Sequence, residues 1–95
     1  MKNVICSAAG WLTPRDAHQA LKDALDFPDY YGYNLDALHD CLTELSDVCL
    51  VLEDCAVAAR NMPEKWPGFL AVFFDAAHEN PGLDIRLLPG SGDYI

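Results

Sequence analysis

No lysine or arginine occurs between Lys22 and Arg60, a stretch that holds nine of the chain's fifteen acidic residues. The nine are Asp23, Asp26, Asp29, Asp36, Asp40, Glu44, Asp47, Glu53 and Asp54. With only six Lys and Arg in all, the formal net charge is −9. This shortage of positive charge argues against direct binding of nucleic acid or of an anionic membrane, and it favours encounter with a cationic protein. Long apolar runs are missing too. None approaches the roughly 20 residues of a membrane span, and the run after Lys2 is too short for the apolar part of a secretory leader, so a cytoplasmic location is expected. The sequence has no C-x-x-C, no H-x-x-x-H and no glycine-rich phosphate loop, and it offers no convincing Ser or Cys nucleophile. Neither catalysis nor a cofactor or metal is therefore expected. In a reducing compartment Cys6, Cys41, Cys49 and Cys55 stay thiols and behave as small buried apolar groups. Cys6 and Cys49 both fall in predicted strands, so the two could lie close, without implying a disulfide.

Ninety-five residues, 52% of them hydrophobic, suit one domain with a real core and no staples. Lys2 to Cys6 reads as a strand. Thr13 and Pro14 form a helix start, as N-cap and first helical residue, and Ala17, Ala20, Leu21, Ala24 and Leu25 give that helix an apolar stripe. Asp26 to Tyr33 is a loop broken by Pro28 and Gly32. Asn34 caps a second helix that ends near Glu44 or Leu45, with Leu35, Leu38, Leu42 and Leu45 on its inner face. The unbroken run Val48-Cys49-Leu50-Val51-Leu52 reads as a strand buried on both faces. Asp54 to Arg60 suggests a short helix. A longer one starts near Pro63 or Pro67 and is stopped by Asn80-Pro81-Gly82. Leu83 to Leu88 is the last strand. Strands separated by helices imply an α/β fold: a small three-stranded parallel sheet with helices packed on it.

The second helix draws attention because of its outer side. At about 100° per residue, Asp36, Asp40, Thr43, Glu44 and Asp47 project together if the helical turn persists to Asp47. The pairs Asp36/Asp40 and Asp40/Glu44 are like charges at i, i+4, which destabilises an isolated helix by a few tenths of a kcal/mol each. Charged stripes are most often solvent-facing surface and nothing more. Here, however, Tyr30, Tyr31 and Tyr33 lie just before the helix and His39 lies among the acids. Tyrosine offers interfaces a rigid surface with a polar tip, although at least one of the three is expected in the core. His18 and His78 read as surface or partly buried polar residues, Trp11 and Trp66 as core or rim, and the cluster from Phe69 to Phe74 as core.

The segments Tyr30-Tyr31-Gly32, Asn34-Leu35-Asp36-Ala37-Leu38 and Asp40-Cys41-Leu42 together resemble the signature of the barstar family, intracellular inhibitors of barnase-type ribonucleases. Leu50-Val51-Leu52-Glu53, Val72-Phe73 followed by Asp75-Ala76, and Asp84-Ile85 match weaker family positions in the same order. The resemblance implies a single barstar-like domain over residues 1–89, while Pro89-Gly90-Ser91-Gly92 itself reads as leading into a flexible C-terminal tail, residues 90–95. It also implies an immunity-type inhibitor, monomeric when free, that plugs the active site of a basic secreted-type ribonuclease or related toxin. By resemblance, the partner-binding residues are Tyr30, Gly32, Asn34, Asp36, Asp40 and Asp75, with Gly32 and Asn34 shaping the loop; His39, Thr43 and Glu44 join them from the helix face. A ribonuclease site is cationic because it stabilises a phosphorane-like transition state, so carboxylates set where phosphates bind would satisfy its cations.

The chain departs from the family in carrying His39 where the family has Trp, and Asp75 where it has Glu. The first change removes aromatic area and adds a group that titrates near pH 6.5. Flanked by Asp36 and Asp40, the charged form of His39 is expected to be favoured. Two other readings remain at the level of sequence. One is a barstar-like interaction module whose partner is not a ribonuclease. The other is a metal-dependent enzyme built on Asp36 and Asp40, for which two carboxylates without a dedicated loop are poor ligands.

Overall fold

The apolar run 48–52 becomes the central strand of a three-stranded sheet. In the computed structural model, which describes residues 1–90, the elements are β1 (Lys2–Ser7), α1 (Pro14–Leu25), α2 (Leu35–Thr43), β2 (Val48–Glu53), α3 (Cys55–Asn61), α4 (Trp66–Glu79) and β3 (Leu83–Leu87). The strand order is β1-β2-β3 and both pairings are parallel, as the alternation of strands and helices implies. Val4 lies opposite Leu50, and Leu50 opposite Ile85. Side chains alternate across a strand, so Leu50 and Leu52, both fully buried, point to the helices.

The opposite sheet face is more open than the run of apolar residues suggests. Ile5 is 66% exposed, and Val51, its neighbour in register, is only partly buried. Arg86, opposite Val51, pairs with Asp84 on this face at 3.2 Å. Cys6 shares the register row of Leu52, and Cys49 that of Asn3 and Asp84. The two thiols therefore sit on opposite faces and are not neighbours; all four cysteines are free. Burial raises the pKa of Cys6, Cys41 and Cys55, which keeps those groups as thiols.

Helices α1 and α2 start at side-chain caps, Thr13 and Asn34. The Thr13 hydroxyl accepts from the Asp16 N–H at 3.3 Å, the Asp16 carboxylate accepts from the Thr13 N–H at 3.0 Å, and Pro14 follows. On α4, Trp66, Phe69, Phe73 and Ala76 are buried at helical spacing. Phe74 follows Phe73 by about 100° and so leaves the stripe; it is 64% exposed, not part of the core. Trp11 and Trp66 are core residues, their rings 6.2 Å apart. Gly68 allows α2 to approach α4: a Cβ there would sit 2.9 Å from Leu35 Cδ1.

Helix α2 ends at Thr43, earlier than its apolar spacing implies. Asn80 explains the stop. Its side-chain amide donates to the carbonyls of Leu42 at 3.0 Å and Leu45 at 2.8 Å, while its oxygen accepts from the Gly82 N–H at 3.0 Å. Asn80 thus adds a donor to the Leu42 carbonyl, which also accepts from the Leu45 N–H, and holds the Leu45 carbonyl just past the end of the helix. The chain then turns at Asp47, whose φ is 59°, a left-handed conformation that Asp tolerates better than most residues. After β3, the carbonyls of Leu88, Pro89 and Gly90 accept from the N–H groups of Cys55, Ala56 and Asp54. The rest of the expected tail, residues 91–95, lies outside the described residues.

Candidate functional site

The loop between α1 and α2 is held by α1 and presents one tyrosine outward. Tyr31 is buried, and its hydroxyl meets His18 Nδ1 at 2.6 Å. The Tyr33 hydroxyl donates to Gln19 Oε1 at 2.7 Å, and Arg15 lies 4.6 Å over the Tyr33 ring. Tyr33 itself has φ 52°, a costly conformation for a bulky residue. Tyr30, between these anchors and the cleft, is 88% exposed.

His18 departs most from its expected setting. The Tyr31, Tyr33 and Phe69 rings cover it with centroids 5.7, 6.4 and 5.1 Å away, leaving it 3% exposed. Burial lowers its pKa below the ordinary histidine value. Burial likewise raises that of Tyr31, with smaller contributions from Cys41 and Tyr33.

Asn34 joins loop to helix. Its Oδ1 accepts from the Ala37 N–H at 2.8 Å, and its Nδ2 donates to the Gly32 carbonyl at 3.2 Å. Gly32 favours that closeness, since a Cβ would come within 3.1 Å of Asn34 Nδ2 and push it aside. From this cap α2 sends Leu38 and Leu42 inward and leaves Asp36 and Asp40 exposed. Tyr30, Gly32, Ala37, Asp40, Cys41 and Glu44 line a cleft of about 210 Å³ between loop and helix. Four of the sequence-selected residues, Tyr30, Gly32, Asp40 and Glu44, therefore meet in one concave surface.

The others take different places. Thr43 turns its hydroxyl back to the Asp40 carbonyl at 2.9 Å, which accepts it. Asp47 lies beyond the helix and faces the N-terminal amino group at 3.7 Å, so it does not extend the acidic face. Asp75 is exposed on α4, one turn before Glu79. His39 sits between the two helices. Its Nε2 is hydrogen-bonded to Glu79 Oε2, and its Nδ1 lies 3.8 Å from Asp40 Oδ1. The Glu79 hydrogen bond is the main reason that its pKa is raised, with Asp40 adding to it. The sequence alone points to Asp36 and Asp40 for this effect. Glu79 was missed because nothing in α4's own pattern says which face meets α2. Among the described residues, no Lys or Arg forms an ion pair with Asp36, Asp40, Glu44 or Asp75. No cluster of three or more potential metal ligands occurs among the described residues either, and no described helix is long and apolar enough to cross a membrane.

Over 52 residues the chain is 50% identical to a protein of Bacillus subtilis (strain 168) named "Putative ribonuclease inhibitor YrdF". That match covers 55% of this chain and 57% of the relative, so it spans little more than half of either. The family model for Barstar (barnase inhibitor) matches residues 1–88, from the first strand to the end of the last. The parallel sheet, the capped helix α2 and the tyrosine-bearing loop before it are thus the parts of a chain that belongs to the barstar family.

Proposed function

We propose that this chain is a cytoplasmic inhibitor of a cationic bacterial ribonuclease, or of a related toxin, and that it works by occluding the enzyme's active site. The observation that carries this reading is the cleft in which Asp40 and Glu44 share a wall with the exposed Tyr30 and, among the described residues, pair with no Lys or Arg. Membership of the barstar family and the printed name of the Bacillus relative support the same reading.

The mechanism is one of charge replacement. Asp36 and Asp40 stand on a helix whose position is fixed by the Asn34 cap, the Leu35–Gly68 contact and the Asn80 bonds. They meet the Lys, Arg or His groups with which the enzyme would hold its substrate's phosphate, and the hydrogen bonds formed are charge-assisted. Tyr30 lays its ring against the rim of that site and excludes water. Glu44 and Asp75 extend the acidic field, which steers the basic partner and speeds association. The inhibitor supplies no reacting group, needs no cofactor, and acts as a monomer that binds one enzyme.

Titration of a panel of barnase-type ribonucleases with the chain tests this, read by RNA cleavage. Stoichiometric loss of cleavage for at least one basic member is expected. Full cleavage by every member at micromolar inhibitor would overturn the reading.

A further inference from the structure

We infer that His18, a residue of α1 that is hidden from any partner, positions the partner-binding loop through its hydrogen bond to the Tyr31 hydroxyl. This deepens the inhibitor reading and rests on it for its binding readout.

The argument starts from the loop's neighbours in sequence. Tyr31 lies between Tyr30 and Gly32, and all three line the cleft. Of the three, Tyr31 is the one whose side chain is buried. Its backbone N–H donates to the Pro28 carbonyl at 3.0 Å, and its ring packs on Phe27 with centroids 5.0 Å apart. The one polar atom of that side chain, the hydroxyl, ends on His18 Nδ1. Where His18 holds the hydroxyl, the peptide groups that carry Tyr30 and Gly32 are held too.

A second tether acts in parallel from the next residue of α1. Gln19, itself bonded to Asp23 at 3.0 Å, accepts from the Tyr33 hydroxyl. Tyr33 is the residue with a left-handed backbone, a conformation that persists only where its surroundings enforce it. The loop is therefore shaped by α1 before any partner arrives, which lowers the ordering cost of binding. Of the two tethers, His18–Tyr31 is the buried one, so a partner has no means of replacing it on contact.

A single net hydrogen bond contributes about 1 kcal/mol, which corresponds to a factor of about five in the population of the ordered loop. Apparent affinity falls with the fraction of molecules that are binding-competent.

The test uses Tyr31→Phe, which deletes only the hydroxyl, with His18→Leu and the double variant. Hydrogen exchange in the partner-free protein is the first readout. The Tyr31 amide is expected to exchange about fivefold faster in each single variant and no faster still in the double, because both substitutions break one interaction. Leu50 and Leu52 amides in the central strand should be unchanged in Tyr31→Phe. Affinity for a basic ribonuclease should fall by a similar factor in Tyr31→Phe, and His18→Asn, which keeps a polar atom near Nδ1, should lose less than His18→Leu. Unchanged Tyr31 exchange, equal acceleration of the Leu50 and Leu52 amides, or additive single effects would overturn the positioning role. If the wild type binds no ribonuclease, the proposed function falls, and the exchange experiment still decides whether His18 orders the loop.

Discussion

His39 on α2 and Glu79 on α4 are joined by a hydrogen bond at the edge of the acidic cleft. Asp40, the neighbouring wall of that cleft, lies 3.8 Å from the other ring nitrogen of the same histidine. The histidine thus links the two helices that carry the candidate acids, at a position where the family resemblance calls for Trp.

Its raised pKa sets the direction of a pH effect. Protonated His39 places a cation beside Asp40, where it cancels acidic charge and faces a basic partner. Ribonuclease affinity is expected to fall severalfold as pH drops from about 8 to about 6, a window above that of an unperturbed histidine. Glu79→Gln removes the main cause of the raised pKa and should move the fall to lower pH. His39→Trp should flatten the curve. Calorimetry across this range for the three proteins checks the point, and parallel curves would remove His39 from the effect.

His18 acts on stability with the opposite sign. Its folded-state pKa is lowered from 6.5 by burial, so the unfolded chain binds its proton more readily than the folded one. The stability it contributes is complete above pH 6.5 and is lost as pH falls below that value towards the folded-state pKa. His39, with its pKa raised, contributes stability below pH 6.5 that is lost as pH rises through its folded-state pKa. Urea unfolding between about pH 7.5 and 5 in a His39→Gln background isolates the first effect, at pH values where His18 titrates. Stability should decline towards the acid end, and additional replacement of His18 by Asn should remove that part of the decline.

Asn80 is expected to matter more than its loop position suggests. Asn80→Ala deletes two bonds to the end of α2 and one from Gly82. At roughly 0.5–1.5 kcal/mol each, with the Leu45 carbonyl losing its amide donor, the loss should be about 2–3 kcal/mol of folding stability. Chemical denaturation measures it; a loss below about 0.5 kcal/mol, the range of ordinary surface substitutions, would show that water replaces the amide.

The fold was legible because its signals are local. Thr13-Pro14 and Asn34 mark helix starts through side chains that act within three residues, and the run from Val48 to Leu52 can only be a buried strand or helix piece. The cleft was legible in part, since the tyrosine loop and α2 are adjacent in sequence. What stayed hidden depends on contacts across the fold. Glu79 reaches His39 from 40 residues away, Asn80 reaches Leu42 from 38, and His18 is buried by rings 13 or more residues further on. Phe74 shows the converse: an apolar cluster in sequence does not say which member leaves the stripe. The openness of the Ile5–Val51 face is likewise a property of where the helices settle, which no single strand encodes.

Asp40→Ala tests the central claim most directly. The carboxylate is exposed on α2 and caps nothing, so folding should be unaffected. If the cleft plugs a cationic active site, the enzyme's charges are left buried without their counter-charge. In such interfaces, truncating one partner of a buried charge pair costs about 2–5 kcal/mol or more. Calorimetry against an inhibited ribonuclease should therefore show the dissociation constant rising by at least about thirtyfold. An unchanged dissociation constant for a folded Asp40→Ala variant would contradict the claim that this surface occludes the enzyme.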